Sequence, residues 1–299
     1  MGLSVQTVAL TCFALLAVGY VVLAILGRRE KLAPMVRDAW PILFTETLIV
    51  GVAAGAFWIG GWILAVALLI HAARVGYEAT SVVNRRVNLI NPVLGALAMA
   101  ITGFVASFLP LILLCTFGVI GLITCIVVQW MKSVSSVPRQ TALVDLILFP
   151  GIPLIIFTAA GLQGGYGVWI LVAFLLVETF DSYALLGGKL FGKRKAFPVL
   201  SPNKTVEGLA IGAGMLMLTA AIAGALLAGL PLLVSAGVAL VAGVLTIAGD
   251  LAASRLKRLS GVKDYPRILP HQGGLFDITD AWIATGAGLV TLAVFLGPA

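Results

Sequence analysis

The feature that most constrains this chain is a succession of apolar runs, each about 16–22 residues long and set apart by short polar breaks. About 20 apolar residues in a helix match the hydrocarbon thickness of a bilayer. The runs lack the alternation of period two that a barrel strand needs. Inside lipid every backbone polar group must find its partner within the chain, which a helix achieves alone. A chain of 299 residues that is 61% hydrophobic and only 10% charged, with mean hydropathy +1.13, has too little polar surface for a water-soluble domain. The expected fold is therefore an all-α polytopic membrane protein of about ten transmembrane helices.

Breaks at Gly, Pro and charged residues put the spans at 5–26, 41–56, 58–73, 89–108, 110–130, 143–160, 167–187, 207–229, 231–249 and 278–297. The run 41–73 is too long for one helix and requires a tight turn near Ile59-Gly60-Gly61. The first run has no basic residue before it and no small-residue cleavage site after it, so it reads as a retained span. Cys12, Cys115 and Cys125 lie in apolar runs without CxxC spacing and read as small core residues.

All 19 Lys and Arg fall in five segments, 27–37, 74–86, 132–139, 189–204 and 255–267, which are every second loop of this scheme. The positive-inside rule places those loops in the cytoplasm and both termini on the non-cytoplasmic side. The net charge of +7 then follows from topology and attraction to anionic headgroups, and calls for no nucleic acid. Trp40, Trp58, Trp62, Trp130, Trp169 and Trp282 sit near run ends, where interfacial rings are expected. The 34 glycines permit close helix packing, which is compatible with a homodimer.

An ionisable group within a span is expensive and asks for a reason. The N-terminal half offers Glu46 and His71, the latter read as a residue near a helix end. The C-terminal half gathers Glu178, Asp181, Glu207, Asp250, Asp277 and Asp280 near the cytoplasmic ends of spans, beside the two densest basic loops. Carboxylates interleaved with cations suit a metal and a polyanion held together. Asp277 and Asp280, three apart on a helix, share a face and could both reach one Mg2+. Gly273-Gly274 just before them lets backbone approach a ligand closely. Asp250 closes the preceding span after Gly249, and Ser254–Arg258 brings cations nearby. Ser201-Pro202 reads as a cap and first helical residue, starting a helix at about 202 whose N-terminus, with Ser201, Lys204 and Thr205, forms a phosphate seat.

Three blocks then resemble the phosphatidate cytidylyltransferases, the CDP-diacylglycerol synthases. They are DSYALLGGKLFGK (181–193), SPNKTVEG (201–208), and the stretch from Gly249 to Asp280 containing GDLAASRLKR, GVKD and PHQGGLFDITD. The chain departs from the family pattern at Tyr183, Leu185, Ala253, Gln272 and Ile278; the last two stand where the signature has histidine and arginine. The resemblance implies transfer of CMP from CTP to phosphatidate, giving CDP-diacylglycerol and pyrophosphate, with Mg2+. It implies metal ligation by Asp250, Asp277 and Asp280, and catalytic involvement of Lys263 and Asp264. Asp181 would serve the nucleotide or support the metal; Lys193, Ser201, Lys204 and Thr205 would hold a phosphate; Lys257, Arg258, Lys263 and Asp264 would face the nucleotide. His271 would replace the missing histidine, and Gly273 and Gly274 would line the substrate. The chain divides accordingly into N-terminal transmembrane helices, 1–140, and a catalytic transmembrane region with cytoplasmic loops, 141–299. The partners are CTP, a lipid phosphate and the bilayer, and the setting is a bacterial inner membrane with the active site facing the cytoplasm. Two alternatives stay open: a divergent paralogue acting on another lipid phosphate or as a CTP-dependent lipid kinase, and a non-catalytic membrane protein or transporter.

Overall fold

A computed structural model describes residues 3–28, 33–131, 141–268 and 273–297. Its elements, in order, are α1 (Val5–Leu26), α2 (Ala33–Ile59), α3 (Gly61–Val87), α4 (Pro92–Ala106), α5 (Leu111–Met131), α6 (Thr141–Leu146), α7 (Ile152–Gln163) and α8 (Gly167–Phe191). There follow β1 (Lys195–Phe197), β2 (Ser201–Thr205), α9 (Val206–Ala228), α10 (Leu232–Leu259) and α11 (Leu275–Leu296). Among the described residues, seven helical stretches are long and apolar enough to cross a membrane: α1, α3, the α6–α7 stretch, α8, α9, α10 and α11. Leu43–Ile59, Pro92–Ala106 and Leu111–Ile120 are shorter apolar helices.

Local chemistry explains the boundaries. The expected turn near 60 is present: Gly60 and Gly61 take positive φ of 67° and 54°, which only glycine adopts cheaply. The Asn91 side chain accepts a hydrogen bond from the Val93 N–H and Pro92 opens α4, a cap and first-residue pairing. Pro150 interrupts the stretch between α6 and α7, where Phe149 is extended (φ −151°, ψ 124°) because proline disfavours helix in the residue before it.

Four expectations need correction. The fold is nearly all-α rather than all-α, because β1 and β2 pair antiparallel, Lys195 opposite Thr205. Ser201 does not cap a helix starting at 202. Residues 201–205 are extended, and Thr205 is the cap, its hydroxyl accepting from the Gly208 N–H. Strand pairing with β1 supplies the backbone partners that a helix would have supplied. Asp250 does not close a span, since α10 runs without a break to Leu259. Arg74, Arg85 and Arg86 likewise lie on α3 rather than in a loop. Residues 132–140, which hold two further basic residues, lie outside the described residues.

The bundle is organised around α11, which packs on α10, α8, α7 and α3. Trp282 is buried among Phe57, Phe157, Phe174 and His71, with its ring N–H donating to the Ile170 carbonyl at 2.8 Å. It is a core residue, not an interfacial one as the run-end position suggested. A buried indole needs a partner for its one donor, and the α8 backbone provides it. Among the described residues the exposed tryptophans are Trp40, Trp58 and Trp62. Helices α8 and α9 touch through small residues: a Cβ at Gly208 would meet the Ala184 carbonyl at 2.7 Å and the Gly188 Cα at 2.9 Å. That approach fits how helices associate in lipid.

Candidate functional site

At one end of the bundle α8 finishes, the β1–β2 hairpin turns, α9 begins, α10 finishes and α11 begins. Glu207 fastens the hairpin to the first turn of α9, accepting from the Lys193 N–H (3.0 Å), the Arg194 N–H (3.1 Å) and Arg194 Nε (2.9 Å). This anchorage presents Lys204, on β2, to the helices. Its ammonium lies 2.9 Å from Asp250 Oδ2 on α10 and 3.9 Å from Asp181 Oδ1 on α8. Burial alone would pull the Lys204 pKa down, but Asp250 and Asp181 outweigh it and hold the group above its ordinary 10.5. Lys204 is thus a permanent cation. Asp280, 5% exposed on α11, accepts from its neighbour's amide, the Ala281 N–H, at 2.6 Å, and lies within electrostatic range of Asp250, Lys257 and Lys204.

A second group of contacts holds the start of α11. Asp277 Oδ1 takes the Lys257 ammonium at 2.6 Å, and Oδ2 takes the N–H groups of Tyr265 and Gly274, each at 3.0 Å. Glu78, fully buried on α3, accepts from the Leu275 N–H (3.0 Å) and the Phe276 N–H (2.8 Å) and pairs with Arg74 at 2.7 Å. Arg74 also donates to the Pro266 carbonyl at 3.2 Å. Two carboxylates therefore occupy the positive end of α11 and satisfy its first free N–H groups. The two glycines make this possible. Gly273 has φ +89°, and a Cβ there would meet Asp277 Oδ2 at 2.8 Å; a Cβ on Gly274 would meet Glu78 Oε2. Tyr265 lies under Lys257, 5.3 Å from ring centre to ammonium, and its hydroxyl donates to the Ala253 carbonyl at 3.1 Å. Burial, with Asp280, Asp277 and Glu78 near, pushes that phenol well above its ordinary value, so it stays neutral.

One turn further along α11, Thr279 donates its hydroxyl to the Leu275 carbonyl (2.9 Å) and faces His71 Nε2 (3.0 Å). The hydroxyl has one proton, already committed, so His71 donates from Nε2. His71 is thus a part-buried partner of α11, well inside α3 rather than near a helix end. Arg255 and Asp145 form a buried ion pair at 3.1 Å between α10 and α6.

The structure brings together Asp181, Lys204, Asp250 and Asp280, and beside them Lys257, Asp277, Gly273 and Gly274. Thr205 caps α9. Lys193, Lys263 and Asp264 are exposed; Asp264 faces Arg267 at 3.7 Å, and Arg258 folds onto the Val262 carbonyl at 3.1 Å. Ser201, at the start of β2, is partly exposed. His271 lies outside the described residues. Sequence reasoning missed Glu78, Arg74, Tyr265 and the Asp145–Arg255 pair. The one local signal was an Arg and a Glu four apart, Arg74 and Glu78, on a helix.

Among the described residues no three acidic, cysteine or histidine side chains form a ready-made cation cage. Mg2+ commonly uses one or two carboxylates and completes its shell with water and substrate phosphates. The hard oxygens of Asp250 and Asp280, on the packed helices α10 and α11 and within electrostatic range of each other, fit that mode. Both oxygens of Asp277 are already engaged.

A model of the cytidylyltransferase family matches residues 42–296. The chain belongs to that family. Similar members include the phosphatidate cytidylyltransferase of Staphylococcus aureus, 41% identical over 38% of this chain and 45% of its own length. The phosphatidate cytidylyltransferase of Helicobacter pylori is 38% identical over 50% of this chain and 55% of its own. The uncharacterized protein YnbB of Escherichia coli is 38% identical over 44% of each chain. The chain spans about half the length of the curated relatives it matches. Family membership and the apolar helices together make it an integral membrane protein of a nucleotidyltransferase family.

Proposed function

We propose that this cytidylyltransferase transfers CMP from CTP to a lipid phosphate, phosphatidate in the first instance, at the bundle end that carries Lys204. One observation carries the reading: a half-buried lysine set between carboxylates of α8 and α10, with the buried Asp280 of α11 beside them. In the reaction an oxygen of the lipid phosphate forms a bond to the α-phosphorus of CTP, and the bond from that phosphorus to the pyrophosphate oxygen breaks. Two polyanions must meet, so charge neutralisation and in-line positioning dominate the task. Lys204 is a fixed cation that can exchange its carboxylate partner for a phosphate oxygen. Asp250 and Asp280 would hold Mg2+, with Asp181 adjacent; when bound, the ion would neutralise charge on both phosphates. Asp277 takes a different role here: it holds Lys257 and the first turn of α11 in position. Lys263, Asp264, Arg258 and Lys193, on segments that border this end, remain candidates for the nucleotide side; His271, outside the described residues, is a candidate by the family resemblance alone.

The test is incubation of purified protein with CTP, Mg2+ and phosphatidate, following pyrophosphate and the lipid product. CDP-diacylglycerol forms, and Asp250→Asn and Asp280→Asn each lower turnover by on the order of 100-fold or more. Absence of the nucleotide lipid with wild-type protein, or full turnover in both variants, overturns the proposal. Ile278, where the family signature has arginine, favours a second acceptor chemistry, so a panel of lipid phosphates and polyprenyl alcohols belongs in the same assay. Transfer of the γ-phosphate instead of CMP would identify a kinase.

A further inference from the structure

From residue 182 to residue 206 the chain carries Lys189, Lys193, Arg194, Lys195 and Lys204 and no acid. Lys204 turns inward to Asp181 and Asp250, and Arg194 pairs with Glu207. Lys189 and Lys195 are exposed, and among the described residues neither has a carboxylate partner. Apolar side chains stand around them, just as open. Leu185, Leu186, Leu190 and Phe191 project from the last turns of α8, and Val199, in the turn between β1 and β2, is 70% exposed. The other face of α8 is closed. A Cβ on Gly187 would meet Ile211 of α9 at 2.9 Å, and one on Gly188 would meet the Thr205 hydroxyl at 3.1 Å. The free face is therefore a stripe of Leu185, Leu186, Lys189 and Leu190 on one side of a helix. The hairpin continues it, since its base at Thr205 also closes on Gly192, where a Cβ would meet that hydroxyl at 2.7 Å.

Length and charge identify what covers this face. Helix α8 has 25 residues, ~37 Å at the rise of a helix, against a hydrocarbon core of ~30 Å. A helix longer than the core carries an end into the headgroup layer. The end with Lys189, Leu190 and Phe191 has the composition of that layer, apolar bodies with cationic heads. In water the exposed Leu, Phe and Val side chains would find no apolar partner. In hydrocarbon the unpaired lysines would be costly. The headgroup layer satisfies both, and cations without a local acid complement the anionic phospholipids there. A second copy of this chain fits poorly: a two-fold contact would set the patch against itself and oppose like charges.

We propose that the end of α8 and the β1–β2 hairpin form a docking surface for anionic phospholipid headgroups, with Lys189 and Lys195 on the phosphates and Leu190, Phe191 and Val199 among the upper acyl carbons. Lys204 is spent inside, so this surface is separate from the candidate site, and it stands or falls independently of the reaction proposed above. The test places a bimane fluorophore at the hairpin turn through Val199→Cys, with the chain lacking that change labelled in parallel as background. The full chain is reconstituted in vesicles of phosphatidylcholine and phosphatidylglycerol. Either lipid in turn carries a nitroxide quencher near the top of its acyl chain. Phosphatidylglycerol is expected to quench with about fivefold preference, the worth of one lysine near an anionic surface, and the label is shielded from aqueous iodide. Lys189→Gln with Lys195→Gln brings the preference close to one. Salt at ~1 M, where the screening length is ~3 Å, does the same to the chain with both lysines intact, so the result does not hang on how the variant folds. Equal quenching by the two lipids at low salt, or a preference that survives both salt and the double variant, overturns the proposal. Full access to iodide without lipid quenching also overturns it, and would leave the patch to a soluble acidic partner.

Discussion

Lys204 sits where two demands conflict. It neutralises Asp250 and Asp181 at rest, and in the proposed reaction it must serve a phosphate. Its carboxylate partners are partly exposed, so water compensates them when the ammonium leaves, and the resting ion pairs add little stability. Lys204→Met is expected to raise KM for CTP or lipid about 10- to 100-fold, the value of one charge-assisted contact, with little change in melting temperature. Equal KM for both substrates in the variant would remove Lys204 from the site. At this scale the sequence was informative for Lys204, Asp250 and Asp280, because each carries charge in an apolar setting. It was silent on Glu78, whose partners Leu275 and Phe276 lie 197 and 198 residues away. No spacing along a chain reveals a contact of that range. Asp277 looked identical in kind to Asp280; only the Lys257 ammonium and two backbone N–H groups distinguish a brace from a candidate ligand.

Among elements, α11 depends most on others. Its N-terminus has no side-chain cap from its own preceding residue, Gly274. Glu78 from α3 and Asp277 from its own first turn do that work. Glu78 is buried, and removing one partner of a buried charge pair costs about 3–5 kcal/mol. Glu78→Ala is therefore expected to lower the thermal midpoint in detergent markedly. Glu78→Gln, which keeps one acceptor, lowers it less. If Glu78→Ala melts with wild type, the brace is not structural. The helix periods were legible from apolar runs, but their ends were not. Helix α10 carries Arg255 and Lys257 inward beyond the expected stop, because Asp145 and Asp277 neutralise them. The Ser201-Pro202 pair looked like a helix start because the sequence could not show that β1 would bind β2.

For the whole molecule, the alternation of basic segments makes a directional forecast. Cysteine introduced at Lys195, in the exposed hairpin, is expected to react with a membrane-impermeant maleimide from the cytoplasmic side. Cysteine at Gly165, between α7 and α8, is expected to react only from the opposite side. The native Cys12 and Cys115 are buried and contribute low background. Labelling of both positions from one side would overturn the assigned orientation.

The Glu78 brace has one more implication, for how such a protein can be taken apart. A fragment starting after α5 would contain each of the three sequence blocks and still fold its last helix poorly, since the acid that opens that helix would be left behind on the discarded piece. Supplying residues 1–131 as a separate polypeptide should restore what the fragment lacks, and the same supplement bearing Glu78→Ala should not.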